Sequence, residues 1–127
     1  MNIIELECTD FTTDWYRDKK IQIDIDKYVF FEVEYRGGDC NSWYLIGHRY
    51  DKDADKWIAE DFDYHMCNTH KMAKFIARAN NIKDKNGFTR NRVSRFNNLH
   101  YAEDFYEKLN NLFNAIQKYE KENIKRL

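Results

Sequence analysis

The chain has 127 residues, 43% of them hydrophobic and 17% aromatic, which is enough apolar side chain for one core and excludes a disordered chain. Its 21 basic and 22 acidic residues leave a net charge of −1, but residues 1–63 carry 16 acidic and 8 basic side chains, whereas residues 64–127 carry 6 acidic and 13 basic ones. This unequal distribution predicts an acidic and a basic surface on a single domain spanning 1–127.

Cysteine content and hydropathy predict where the protein resides. Cys8, Cys40 and Cys67 are odd in number and far apart, which argues against a disulfide framework and for a reducing compartment. No secretory signal is expected, and the longest apolar runs, 28–31 and 43–46, are far shorter than the roughly 20 residues that cross a bilayer. We therefore expect a cytoplasmic protein without a membrane partner.

The first half of the chain alternates apolar and polar residues, which is the pattern of half-buried strands. Apolar side chains recur at every second position over 21–25 and again over 29–35. Two more runs, 42–50 and 56–64, flank a polar turn and predict a hairpin. We therefore predict an antiparallel, meander-like sheet of four or five strands over 2–64.

The second half shows the three- and four-residue spacing of helices, which we predict over 69–80, 89–97 and 101–125. The last helix is the best defined, because one apolar stripe runs along it: Tyr101, Phe105, Leu109, Leu112, Phe113, Ile116 and Tyr119. Strands come first and helices follow, an order that favours an α+β fold in which two or three C-terminal helices pack on the sheet.

Carboxylates recur along the predicted strands and the hairpin turn, and they form the first candidate binding surface. Its predicted members are Asp24, Asp26, Glu32, Glu34, Asp51, Asp53, Asp55, Glu60 and Asp61. Such a row can imitate a phosphate backbone and occupy the basic channel of a nucleic-acid-handling protein. This surface predicts a non-enzymatic protein-interaction module. We expect it to be a phage or mobile-element type of protein that inhibits or modulates a nucleic-acid-handling protein. The simpler interpretation is an ordinary solvated sheet face.

A basic segment provides the alternative function, binding of nucleic acid. Its cations are Lys83, Lys85, Arg90, Arg92 and Arg95. Lysine and arginine neutralise phosphates, and the asparagines and phenylalanines interspersed among them can bond or stack on bases. Solvated arginines on an ordinary helix explain the same run, and the segment matches no known nucleic-acid-binding signature.

A third hypothesis is a metal-dependent enzyme or a zinc-stabilised domain. His65, Cys67 and His70 are close in sequence and carry good zinc ligands, although their spacing is not that of a zinc finger. The aspartates of the hairpin turn suggest calcium, but an EF-hand requires glycine and glutamate where Lys56 and Phe62 stand. We find no catalytic motif, so we predict a non-enzyme with no catalytic residues and no cofactor.

Overall fold

The computed structural model describes residues 2–10, 17–36, 42–62, 65–86, 92–96 and 102–125. Over these ranges the chain forms seven strands and two α-helices. The strands are β1 (Ile3–Asp10), β2 (Arg17–Asp24), β3 (Phe30–Arg36), β4 (Ser42–Asp51), β5 (Lys56–Asp61), β6 (His65–Met66) and β7 (Arg92–Phe96); the helices are α1 (Thr69–Asn86) and α2 (Ala102–Lys125).

The strands form two sheets. The first has three antiparallel strands in the order β2-β1-β6, and it pairs Ile4 with Ile23 and Leu6 with Ile21. The second has the order β5-β4-β3-β7. In it β3, β4 and β5 are antiparallel, whereas β7 runs parallel to β3 and a bulge interrupts the β3–β7 register after Val33.

Among the described residues, a backbone bridge between Trp43 and Cys67 connects the two sheets. Trp43 of β4 donates its N–H to the carbonyl of Cys67 and accepts the N–H of Cys67 in return, at 2.8 and 2.9 Å. Cys67 follows β6 directly, so the bridge places the end of the first sheet against the second. Asn68 then caps α1, because its side-chain oxygen accepts the N–H of Lys71 at 2.9 Å.

The core lies between the sheets and the helices. Phe31 of β3 packs against Phe75 of α1, with ring centroids 5.5 Å apart. Leu112 and Ile116 of α2 are buried in the same cluster. Burial of each such side chain contributes about 1.5–3 kcal/mol, so this contact between helices and strands is a major source of stability.

The α+β fold is confirmed, but the single meander-like sheet is wrong, since the strands divide into two sheets. The predicted block of two or three C-terminal helices is not matched either, because residues 92–96 of the predicted helix over 89–97 form strand β7. Pairing with β3 favours the strand there, and a five-residue segment with only two apolar side chains fits either structure by periodicity alone. The single domain over 1–127 stays a prediction.

The helix predicted over 69–80 continues to Asn86, and the helix predicted over 101–125 corresponds to α2. Its stripe is only partly buried, since Phe113 is 41% exposed while Leu112 is buried. In the part of the chain that the structure describes, neither helix is long and apolar enough to cross a membrane.

The ring of Tyr28 leaves no room for a side chain at Gly47 of β4. A methyl group placed on Gly47 would lie 2.5 Å from Cε1 of Tyr28, far inside van der Waals contact. We expect Gly47→Ala to lower the free energy of unfolding by about 1–3 kcal/mol, because the buried ring must move. Urea unfolding measures the loss, and the penalty should shrink in a Tyr28→Leu background. A Gly47→Ala variant as stable as the wild type would contradict this contact.

Candidate protein-binding surface

The four-stranded sheet has an inner face and an outer face. Phe31, Val33 and Leu45 point to the inner face, toward α1, and are fully buried. Their neighbours along the strands point to the outer face because side chains alternate in a strand. The outer face is buried around Tyr44 and Ile46, and it becomes exposed toward the β4–β5 turn.

Four rings form an aromatic cluster at this exposed end: Phe30, His48, Tyr50 and Trp57. The register pairs Phe30 with His48 and Tyr50 with Trp57. The rings of Phe30 and His48 stack at 4.4 Å, and Trp57 lies 5.5 Å from Tyr50 and 6.1 Å from Phe30. Trp57 is 56% exposed and Tyr50 is 40% exposed, so large aromatic surfaces face solvent.

Carboxylates border the aromatic cluster. The tyrosine hydroxyl of Tyr50 donates to Asp55, and Oε1 of Glu32 lies 3.9 Å from Nε2 of His48. Asp51 holds the turn in shape, because its side chain accepts the N–H of Asp53 at 3.0 Å and that of Ala54 at 3.2 Å. The turn is therefore ordered, and it holds Asp55 beside the ring of Tyr50.

Other predicted acidic residues serve the fold. Glu34 is buried, and it accepts a hydrogen bond of 2.9 Å from Nε of Arg36. The same guanidinium reaches Asp61 at 2.8 Å and lies over the ring of Tyr44, 4.4 Å from its centroid. This ion-pair network satisfies a buried charge, so Glu34 and Asp61 are partners of Arg36 in the fold.

Glu60 lies on the opposite face, beside Gly47. Its carboxylate accepts the hydroxyl of Tyr28 at 2.5 Å and contacts Lys27 and Arg49, each at 3.1 Å. The tyrosine hydrogen bond and the two cations hold the pKa of Glu60 below its usual value. Burial and the same carboxylate raise the pKa of Tyr28. Glu60 is therefore separated from the outer-face carboxylates by the sheet.

Asp24 and Asp26 are farther away, at the single turn of 3-10 helix over Ile25–Lys27. Asp24 caps this turn by accepting the N–H of Asp26 at 3.1 Å. Asp26 binds the backbone and side chain of Asn2, and these hydrogen bonds lower its pKa. The nine predicted acidic residues thus fall into separate groups, of which Glu32 on the outer face and Asp55 of the β4–β5 turn contact the aromatic cluster, while Asp51 and Asp53 belong to the same turn.

The basic segment is distributed over several elements. Lys83 and Lys85 belong to the last turns of α1, and Arg92 and Arg95 belong to β7, where they pair in register with Glu32 and Glu34. Arg90 lies outside the described residues. The strand places Arg92 and Arg95 at the edge of the sheet opposite β5.

The metal candidates are not brought together. Nδ1 of His65 lies 3.7 Å from Sγ of Cys8, and burial lowers the pKa of His65. Sγ of Cys67 donates to the carbonyl of Glu7 at 3.4 Å, while the ring of His70 contacts the hydroxyl of Tyr119 at 2.7 Å. Among the residues with described positions, no group of three or more histidine, cysteine or acidic side chains could hold a metal ion.

The sequence alone predicted an acidic sheet surface, but it did not single out the four rings of the aromatic cluster as part of that surface. The available signal was the position of Tyr50 and Trp57 on either side of the acidic turn, where a two-stranded register pairs them. Which face of the hairpin is exposed depends on α1 and cannot be read from the hairpin itself. Comparison of the chain with protein-family models, with curated proteins and with solved structures gives no match.

The lowered pKa of Glu60 generates a pH-dependent prediction. A group whose pKa is lowered in the folded state stabilises it above the unfolded pKa, and this contribution disappears as the pH falls through the folded pKa. We expect Glu60→Gln to cost about 1 kcal/mol at pH 7 and less at pH 3, because part of the contribution is lost once the pH is below the unfolded pKa. Urea unfolding at both pH values measures this difference. The control is Glu107→Gln, at an exposed position of α2. An equal cost of Glu60→Gln at both pH values would contradict the assignment.

Proposed function

We propose that this protein is a non-enzymatic protein-interaction module that binds a basic surface of another protein through the outer face of its four-stranded sheet. The observation that carries the proposal is the exposed aromatic cluster beside an acidic turn. Trp57 and Tyr50 are 56% and 40% exposed, although rings of this size are normally buried. A partner that covers them gains apolar burial at the centre of an interface.

The energetics favour Trp57 and Tyr50 as the anchors of such an interface. Tryptophan and tyrosine are the residues most often found to dominate binding energy, and covering each exposed ring contributes on the order of 1–3 kcal/mol. The two rings contact each other, Trp57 also contacts Phe30, and the Tyr50 hydroxyl donates to Asp55, so little side-chain entropy is lost on binding. The partner therefore meets an ordered surface.

The charge around the rings selects the partner. The turn contributes Asp53 and Asp55 against Lys52, and Glu32 lies on the outer face beside His48. Carboxylates beside the rings repel a phosphate backbone and attract lysine and arginine, which also bind favourably over aromatic faces. A protein with a basic nucleic-acid channel has this complementary chemistry. We therefore propose that the chain inhibits or modulates a nucleic-acid-handling protein, as a phage or mobile-element product does.

Substitution of the anchors tests this proposal. Immobilised wild-type protein should capture a partner from bacterial lysate, and that partner, once identified and purified, should bind with an affinity that falls as salt rises. Trp57→Ala should weaken binding by about tenfold or more, and Asp53→Lys should slow association. The matched controls are Tyr106→Ala and Glu107→Lys, at exposed positions of α2.

The controls should bind as the wild type does. Equal loss in Tyr106→Ala and Trp57→Ala would contradict the proposed surface, as would a purified partner whose affinity is unchanged in Trp57→Ala. Circular dichroism of every variant separates a loss of binding from a loss of folding.

A second candidate function is nucleic-acid binding by Lys83, Lys85, Arg90, Arg92 and Arg95. It is favoured by the position of Arg92 and Arg95 on β7, at the sheet edge away from the acidic turn. Titration against labelled single- and double-stranded DNA and RNA at about 50 and 200 mM salt tests it. Several phosphate contacts would make affinity fall by orders of magnitude over this range. Undetectable binding at the lower salt would contradict this candidate.

A further inference from the structure

Two buried cysteines oppose each other between β1 and β6. The antiparallel register pairs Asp10 with His65 and Thr9 with Met66. Continuing this register by one residue, beyond the last pair of the ladder, places Cys8 opposite Cys67. Both thiols are free and almost completely buried, at 0% and 1% exposure.

The backbone hydrogen bonds show whether Cys8 and Cys67 occupy a hydrogen-bonded or a non-hydrogen-bonded position of the antiparallel pair. The N–H and the C=O of Cys67 both bond to Trp43 on β4, at 2.9 and 2.8 Å. Since both groups point toward β4, neither points toward β1, and Cys8 therefore faces Cys67 at a non-hydrogen-bonded position. In antiparallel sheets such positions have the shorter Cα separation, about 4.5 Å, and their side chains lie closest. A Cα separation of this size is within the range of a disulfide.

In the folded protein, burial and hydrogen bonds protect both thiols from oxidants. Sγ of Cys8 donates to the carbonyl of Lys19 at 3.5 Å, and Sγ of Cys67 donates to the carbonyl of Glu7 at 3.4 Å. Burial raises the pKa of Cys8 to about 11 and raises that of Cys67 as well, so both stay protonated. The thiolate is the reactive form, and reaction therefore requires this part of the first sheet to open.

We propose that Cys8 and Cys67 form a cross-strand disulfide when the protein meets a low-molecular-weight disulfide as oxidant. One cysteine thiolate attacks the oxidant and forms a mixed disulfide, which releases one small thiol. The second cysteine thiolate then attacks the protein sulfur of the mixed disulfide, forms the Cys8–Cys67 bond and releases the second small thiol. The two protein sulfurs are oxidised, the oxidant is reduced, and the two thiol protons leave with the released thiols.

The bond would join the two sheets more firmly. Strand β6 has only two residues, so its separation from β1 exposes both thiols to the oxidant while Cys67 stays hydrogen-bonded to Trp43. Once formed, the bond ties β1 covalently to the segment that bridges to Trp43. Reduction restores the separate thiols, which makes the pair a reversible modification site.

Oxidation of a Cys40→Ser variant tests the proposal, because Cys8 and Cys67 are then the only cysteines. Oxidised glutathione is added to the native variant, and excess reagent is removed before denaturation with an alkylating agent. We expect a monomer that has lost the mass of two hydrogen atoms and takes up no alkyl group. Its midpoint of thermal unfolding should rise by roughly 10 °C and return to the starting value after reduction.

Peptide mapping of oxidised wild-type protein provides a second readout that does not depend on the variant. It should recover the peptide of Cys8 linked to that of Cys67. A bond through Cys40, a bond only between two chains, or stable glutathione adducts without an internal bond would each overturn the proposal. So would two alkylatable thiols in the native variant under conditions that oxidise the urea-unfolded chain.

Discussion

Trp43 is the residue on which the architecture depends. Its backbone exchanges two hydrogen bonds with Cys67 and so joins the sheets. Its buried ring packs 5.0 Å from that of Tyr35, and its indole N–H donates to the hydroxyl of Thr69 at 3.3 Å, at the first residue of α1. One residue thus joins the two sheets through its backbone and contacts the start of α1 through its side chain, and a buried tryptophan without this N–H partner would be costly.

The packing of the sheets and helices decides which acidic residues are paired within the fold and which stay exposed. The strand register places Glu60 with Tyr28 on the inner face of the four-stranded sheet, and Glu34 is buried with Arg36 on the outer face. These acidic residues stabilise the fold through paired contacts. The aromatic cluster is exposed at the turn end of the sheet, where neither helix of the structure covers it. The proposed binding surface is therefore the end of the outer face that the helices leave exposed, and it combines aromatic rings with carboxylates.

Local patterns predicted the elements better than their assembly. Two-residue alternation identified the hairpin of β4 and β5, and three- and four-residue spacing identified α1 and α2. The division into two sheets depends on the pairing of Trp43 with Cys67, which are distant in sequence, and no local pattern encodes it. Strand β7 was not predicted for the same reason, since only its pairing with β3 distinguishes it from a short helix. Predicting the aromatic cluster as an exposed surface would have required both the strand register and the position of α1.

Native-state hydrogen exchange at the backbone amides of Trp43 and Cys67 tests the joined architecture most directly. If this bridge is the connection on which both sheets depend, the two amides should exchange only through global unfolding, with opening free energies equal to the value from urea denaturation. Amides of Trp43 and Cys67 that exchange through a much smaller opening, while those in β3 and β4 stay protected, would contradict the account. The sheets would then be held together by side-chain packing alone.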